Sequence, residues 1–146
     1  MTEEEVESLT TAWRTRWDRS PIAYQLRGWH ADRWVRFEDE EGRVSPDPRH
    51  LGAVPWLTID PGDDSPFEDA QRLYVSMTSF DRQTLDPLLR GVADGEIFDV
   101  IIAPLDLRWL YHPYDGGADV VAPTAHDRDV LKNRHADWLS THPAGL

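Results

Sequence analysis

The chain has 146 residues, of which 40% are hydrophobic, no cysteine and a formal net charge of −12. This length and apolar content predict one folded domain over residues 1–146 that needs no disulfide or metal to fold. The lack of cysteine excludes disulfide scaffolds, thiolate zinc sites and cysteine nucleophiles, and the negative charge disfavours nucleic-acid binding.

The first seven residues, MTEEEVE, are acidic, whereas a secretory signal begins with basic residues followed by an apolar run. The longest strongly apolar run, residues 100–103, is far shorter than the roughly 20 residues that span a membrane. We therefore expect a cytoplasmic protein that does not enter a membrane.

A first helix is predicted at the N-terminal end of the chain. Thr2 and Glu5 have the spacing of a capping box, in which each side chain binds the backbone N–H of the other residue. Leu9, Trp13 and Trp17 then recur at helical spacing until a Ser-Pro pair interrupts the pattern. Because both tryptophans share the apolar face, we expect them to pack in the core.

The next segment contains one ambiguous element and one clearer strand. Ile22, Tyr24 and Leu26 alternate as in a strand, but Ile22 and Leu26 are also one helical turn apart, so either structure fits. Residues 33–38 (RWVRFE) alternate more regularly and predict a strand. Its polar face would carry Trp34 with arginine stacked on the indole ring.

The following segment, residues 38–69, holds most of the charge excess. It contains ten acids against Arg43 and Arg49, which is a net charge of −8. The acids are Glu38, Asp39, Glu40, Glu41, Asp47, Asp60, Asp63, Asp64, Glu68 and Asp69. Five prolines preclude a long helix, so we expect an extended acidic excursion with one short strand or turn in 51–59, anchored by Trp56 and Leu57.

Three elements are predicted before position 104. Residues 73–80 alternate as a half-buried strand, with Leu73, Val75 and Met77 on one face. Residues 84–92 predict a short helix that ends before Gly95. The apolar residues 98–103 predict a strand buried on both faces, ended by the proline that follows.

Residues 109–121 (WLYHPYDGGADVV) predict two strands that fold back on an Asp115-Gly116 turn. Glycines at positions 116 and 117 tolerate positive φ, which favours a tight reversal. Their neighbours are aromatic and β-branched residues of the kind that pairing strands favour.

A last helix is predicted after this hairpin. Thr124, with an aspartate three residues later, has the spacing of an N-cap. The helix would carry Val130, Leu131, Arg134, Trp138 and Leu139, and the spacing of positions 131, 134 or 135, 138 and 139 gives one packing stripe. The order of elements predicts an α+β fold, an antiparallel meander sheet of about four to five strands with the N- and C-terminal helices packed on one face.

Four separated pieces of the chain resemble a bacterial family described only as a domain of unknown function, common in Gram-positive and actinobacterial genomes. They are residues 21–27 (PIAYQLR), 32–37 (DRWVRF), 109–119 (WLYHPYDGGAD) and 137–146 (DWLSTHPAGL). The resemblance implies one compact α+β domain and carries over no catalytic residue. The acidic run 38–41 stands where the family resemblance leads us to expect a Ser/Pro segment with basic residues.

The strongest local cluster of functional side chains is at the predicted hairpin. The cluster could supply a general acid and base or metal ligands, and it consists of His112, Tyr114, Asp115 and Asp119. Its pocket would be rimmed by Trp34, Tyr111 and Tyr114. The alternative is turn chemistry, in which Pro113 fixes φ and Asp115 accepts backbone hydrogen bonds. Because no catalytic, nucleotide or metal motif is complete, we assign no catalytic residue, cofactor or metal.

Two functional hypotheses follow, with the first preferred. The first is a protein-interaction module, such as an immunity or antitoxin-like protein, that presents Glu38, Asp39, Glu40, Glu41 and Trp34 to a basic protein partner. The alternative is a small enzyme or ligand-binding protein that uses His112, Asp115 and Asp119. A regulatory module without activity of its own also fits, as does acidity that reflects only the background composition of a GC-rich genome. Oligomeric state is left open.

Overall fold

The computed structural model describes residues 1–17, 37–38, 44–45, 52–59 and 71–141. These residues form a mixed α+β structure, which confirms the predicted fold class. The helices are α1 (Glu3–Arg16), α2 (Arg82–Ala93) and α3 (Ala125–Arg134), followed by a 3-10 turn at Ala136–Trp138. The strands are β1 (Phe37–Glu38), β2 (Val44–Ser45), β3 (Val54–Ile59), β4 (Gln71–Val75), β5 (Leu110–Tyr114) and β6 (Gly117–Val121).

Helix α1 begins at the predicted capping box. The backbone N–H of Glu5 donates to the Thr2 hydroxyl at 3.2 Å, and the Thr2 N–H donates to the Glu5 carboxylate at 2.7 Å. The predicted apolar face is also confirmed, since Leu9, Trp13 and Trp17 are all buried. These two local signals fix where the helix starts and which side of it faces inward.

The core joins α1 to the segment that precedes the hairpin. Leu9, Trp13 and Trp17 form one buried cluster with Leu107 and Leu110. The Trp17 indole N–H donates to the Leu107 carbonyl oxygen at 3.0 Å, across 90 residues of sequence. The bond gives the buried Leu107 carbonyl a hydrogen-bond donor. Apolar packing against the C-terminal end of α1 would otherwise leave this carbonyl unpaired.

Strands β3 and β4 pack against the same helix. They pair antiparallel with a register shift between Pro55 and Thr58. The Trp56 indole N–H donates to the Thr10 hydroxyl at 3.0 Å, and its ring meets Trp13 edge to face, with centroids 5.6 Å apart. Leu57 also packs against the core, so the predicted anchoring by Trp56 and Leu57 is confirmed.

Helix α2 is also confirmed, and it is slightly longer than predicted. Asp81 caps it, because the Asp81 carboxylate accepts the backbone N–H of Thr84 at 3.0 Å. The helix ends just before Gly95, which has φ of +69°. Glycine takes this left-handed conformation at little steric cost, which explains why the chain turns there.

The prediction of a strand at residues 98–103 is wrong. Asp99 has φ of 57°, so the chain leaves the extended conformation inside the apolar run. Only Ile102 makes a β-bridge, through two backbone bonds of 2.9 Å with Tyr111. Strand β4 is also shorter than predicted: it ends at Val75, and Met77 is 52% exposed instead of sharing the inner face.

The predicted meander of about four to five strands does not form among the described strands. They make three separate two-stranded antiparallel pairs, β1–β2, β3–β4 and β5–β6. The irregular run before the hairpin explains part of the difference, because it supplies a single bridge in place of a strand. The predictions for residues 22–26 and 33–36 lie outside the described residues.

The prediction that the C-terminal helix packs on the sheet is also wrong. Thr124 caps α3 as predicted, its hydroxyl accepting the Asp127 N–H at 3.1 Å, but none of the residues of α3 is buried. Val130 is 42% exposed and Trp138, beyond the end of the helix, is 75% exposed. The apolar spacing is therefore real, but it forms a surface stripe.

No helix in the described ranges combines the length and the hydrophobicity that a membrane span requires.

Candidate functional site in the hairpin of β5 and β6

The hairpin forms at the predicted position. Strands β5 and β6 pair antiparallel from Leu110↔Val121 to Tyr114↔Gly117, which leaves Asp115 and Gly116 as a two-residue turn. Neither Gly116 nor Gly117 has positive φ, so the predicted reason for the glycines is wrong. Instead the Tyr114 ring lies over them, and a Cβ built on Gly117 would be 3.4 Å from the Tyr114 hydroxyl.

Alternation along the strands sorts the predicted site residues onto two faces. Directly opposite residues of an antiparallel pair share a face, and His112 lies opposite Asp119. Tyr114, two residues along β5, is on that face as well. We call His112, Tyr114 and Asp119 the hairpin row; it runs from the core at Leu110 outward to the turn.

The geometry of the hairpin row places its rings and carboxylate side by side. The His112 and Tyr114 ring centroids are 6.0 Å apart at an angle of 50°. His112 and Asp119 are half-buried, Tyr114 is 38% exposed, and the Nδ1 atom of His112 is shielded from solvent. The row is thus partly desolvated and still open to a ligand at its outer end.

Two pKa values in the row are displaced from their ordinary range. Burial raises the pKa of Asp119, and the neighbouring His112 opposes that rise. Burial also raises the pKa of the Tyr114 hydroxyl, to which the negative charge of Asp119 adds. Asp119 is therefore the focus of the local electrostatics, because its charge state couples to both rings.

Other predicted site residues do not join the row. Asp115 sits in the turn and is exposed. Tyr111 belongs to the opposite face of β5, so it cannot rim a pocket around His112 as predicted. Glu38 pairs through its backbone with Val44 in β1–β2. Trp34, Asp39, Glu40 and Glu41 lie outside the described residues.

The chemistry open to the row is hydrogen bonding and proton exchange between an imidazole and a carboxylate. Tyr114 adds a hydroxyl and an aromatic face at the entrance. Within the described ranges there is no group of three or more His, Asp or Glu side chains that could hold a metal ion. An imidazole, a carboxylate and a phenol are groups that can recognise a polar ligand.

A concave surface lies along α1, and the sequence patterns did not reveal it. It is an open groove of about 750 Å³ that is lined by Glu4, Glu7, Thr11, Thr15, Arg16 and Asp106, among others. Its helical residues lie opposite the buried face of α1 and could have been read as a polar stripe. Asp106 comes from a turn about 90 residues later, so no local spacing connects it to the helix.

The described elements define a small α+β protein that carries a polar row on an exposed hairpin. The family described as a domain of unknown function (DUF3885) matches residues 30–143, which are 114 of the 146 residues. The chain belongs to this DUF3885 family, and the predicted membership of a family of unknown function is confirmed. None of the curated proteins matches the chain, and none of the solved structures matches it.

Proposed function

We propose that this protein is a protein-interaction module that binds a basic protein partner through the acidic segment 38–69. One concrete form is an immunity protein that neutralises a cationic toxin. The observation that carries the proposal is the charge distribution: the segment holds a net charge of −8 out of −12 for the whole chain. Such a local excess of one sign speeds the encounter with an oppositely charged partner.

The anchoring of the segment supports this role. Glu38 ends β1, whose partner strand β2 begins six residues later at Val44. Further along, Trp56 in β3 is tied to α1 by its hydrogen bond to Thr10. A binding segment held at several points loses less conformational entropy on association than a free one, so more of the electrostatic attraction appears as affinity.

The proposal predicts a strong dependence of association rate on salt. Screening reduces interactions between exposed charges beyond about 8 Å at physiological ionic strength. The association rate constant should therefore fall steeply between about 50 and about 500 mM salt, whereas the dissociation rate should change little.

The test compares two variants that lose the same number of charges. The first replaces Glu38, Asp39, Glu40 and Glu41 with their amides. The matched control replaces four exposed acids of the described surface with their amides, namely Glu4, Glu7, Asp94 and Glu96. Partners captured from cell lysate by the unmodified protein are identified by mass spectrometry, purified, and measured again with each variant by surface plasmon resonance.

We expect a captured basic protein to associate at least about tenfold more slowly with the 38–41 variant and to keep most of its rate with the control, because electrostatic steering raises association rates by about 10-fold to 1000-fold. Equal rates for the two variants would show that the position of the charge is unimportant. A partner without excess positive charge would also remove the proposal.

A second candidate function is binding of a small polar ligand at the hairpin row. The specific observation in its favour is the register, which sets His112 opposite Asp119 on the face shared by Tyr114. The test follows the His112 ring resonances by NMR during a screen of small polar fragments. A hit should lose its effect in Asp119→Asn and keep it in Asp115→Asn, because Asp115 lies in the turn; the opposite order would assign the fragment to the turn.

A further inference from the structure

The outer edge of strand β6 has no partner strand among the residues that the structure describes. Tyr111 directs both its backbone N–H and its C=O at Ile102, away from β6, so its cross-strand neighbour Val120 directs its own pair away from β5. The same alternation applies to Ala118, two residues earlier. No hydrogen bond from elsewhere in the described chain reaches Ala118 or Val120, and both side chains are exposed.

The opposite edge of the hairpin is closed. On β5, Tyr111 is paired with Ile102, and the next outward position is Pro113, which has no N–H to offer. Natural proteins block sheet edges with proline, lysine or bulges, because an open edge is a template for another strand. Residues 117–121 (GADVV) contain no proline, lysine or bulge, and their one charged side chain, Asp119, would repel only a strand of like charge. The edge of β6 is therefore less protected than the edge of β5.

We propose that the edge of β6 is a docking site where a partner adds an extended strand that carries a lysine or arginine opposite Asp119. Strand addition of this kind gains affinity from backbone hydrogen bonds and specificity from alternate side chains. The proposal goes beyond the proposed function and rests on it only in taking the partner to be basic.

The position of Asp119 determines the charge of the occupant. Its half-buried carboxylate is on the strand, between the two residues that would bond the added chain. Opposite charges directly across a strand pair stabilise it, and like charges destabilise it. A basic side chain at the facing position would therefore neutralise Asp119 and extend the hairpin row across a third strand.

The same argument disfavours a second copy of the chain as the occupant. An antiparallel pair of β6 edges centred on Asp119 would set two carboxylates against each other. Each molecule also carries a net charge of −12, which opposes self-association at low salt. A basic partner has neither cost.

The probe for the test is a fluorescein-labelled heptapeptide of alternating valine and lysine, with a peptide of alternating valine and glutamate as its control. Binding to the full-length protein is measured by fluorescence anisotropy. Amide hydrogen exchange then locates the peptide, since backbone bonding should protect the amides of Ala118 and Val120. This second measurement needs no variant and so does not depend on the folding of one.

Two substitutions at one position separate backbone pairing from side-chain contact. Val120→Pro removes the outward N–H and leaves the bonds between β5 and β6 in place, because the Val120 N–H points away from β5. Val120→Thr keeps both the N–H and a β-branched side chain. We expect the first to weaken binding of the lysine peptide by about tenfold or more and the second by less than about threefold.

Protection of Ala118 and Val120 by the lysine peptide alone, with loss of affinity in Val120→Pro, would support the inference. If the lysine peptide binds but protects amides elsewhere, the inference about β6 is overturned and the proposed function is unaffected. The proposed function fails separately, if the 38–41 variant still binds its partner normally. Absence of binding by the lysine peptide would also overturn the inference. So would concentration-dependent protection of β6 without peptide, because it would assign the edge to a second copy.

Discussion

The hydrogen bond between Trp17 and Leu107 predicts a stability difference between two tryptophans of the same helix. Trp17→Phe removes the indole N–H that donates to the Leu107 carbonyl at 3.0 Å. Leu107 is 4% exposed, so losing the donor for a buried carbonyl costs about 1–3 kcal/mol. The smaller ring loses about 1 kcal/mol of apolar burial. The total is about 2–4 kcal/mol, a large part of the roughly 5–15 kcal/mol by which a domain is stable.

Trp13→Phe is the matched control. Trp13 is 5% exposed, against 8% for Trp17, and lies one turn earlier on the same face of α1. It contacts Trp56 through its ring, and its indole nitrogen makes no hydrogen bond to another residue within the described part of the chain. Phenylalanine there should cost about 1–2 kcal/mol, from lost burial and part of the edge-to-face contact.

The measurement is urea unfolding followed by circular dichroism in the far ultraviolet, because both variants alter tryptophan fluorescence. We expect Trp17→Phe to lower the free energy of unfolding by about 1 kcal/mol or more beyond Trp13→Phe, with the same dependence on urea. Equal losses within about 0.5 kcal/mol would refute the reasoning, since the buried carbonyl would then contribute nothing measurable.

Three further outcomes are expected. Gly116→Ala should leave the free energy of unfolding unchanged or raise it by up to about 1 kcal/mol, whereas Gly95→Ala should lower it by about 1–2 kcal/mol, because only Gly95 has positive φ; urea unfolding that ranks them in reverse would contradict this. Burial raises the pKa of Asp119 and His112 lowers it, so its NMR titration midpoint should exceed the ordinary value of about 3.9 and rise again in His112→Gln. Since the folded protein then holds this proton more tightly than the unfolded chain does, the contribution of Asp119 to stability is present at low pH and lost as pH rises through the folded pKa, and Asp119→Asn should abolish that part of the pH dependence. Thr124→Ala should speed amide exchange within α3 and change global stability by less than about 0.5 kcal/mol, because that helix buries none of its residues; a global loss above about 1 kcal/mol would show that α3 contributes to the core.

Local signals accounted for most of what the sequence predicted correctly. The capping box at Thr2, the cap at Thr124 and the two-residue hairpin turn each depend on interactions over a few residues. The buried face of α1 was also readable, because helical spacing alone places Trp13 and Trp17 together. A hairpin with its turn at Asp115 and Gly116 places His112 opposite Asp119, so the predicted turn position already implied that these two residues are neighbours.

Predictions that depended on tertiary contacts were less successful. Apolar content at 98–103 favoured a strand, but Asp99 adopts a left-handed φ and only Ile102 pairs. The stripe of Leu131, Trp138 and Leu139 has helical spacing, and spacing does not tell whether another element covers it. For the same reason Asp106 was missed as part of the groove along α1, since a residue brought in from a distant turn leaves no local pattern.

The bond from Trp17 to Leu107 also bears on how the chain folds during synthesis. The apolar face of α1 is completed by Leu107 and Leu110, so on the ribosome the helix emerges long before the residues that cover it. Contacts of such large sequence separation slow folding, because a long loop must close before they form. Trp13 can meet Trp56 earlier, but until Leu107 and Leu110 emerge the apolar face around Trp17 lacks part of its cover, which leaves apolar surface of the nascent helix open to aggregation.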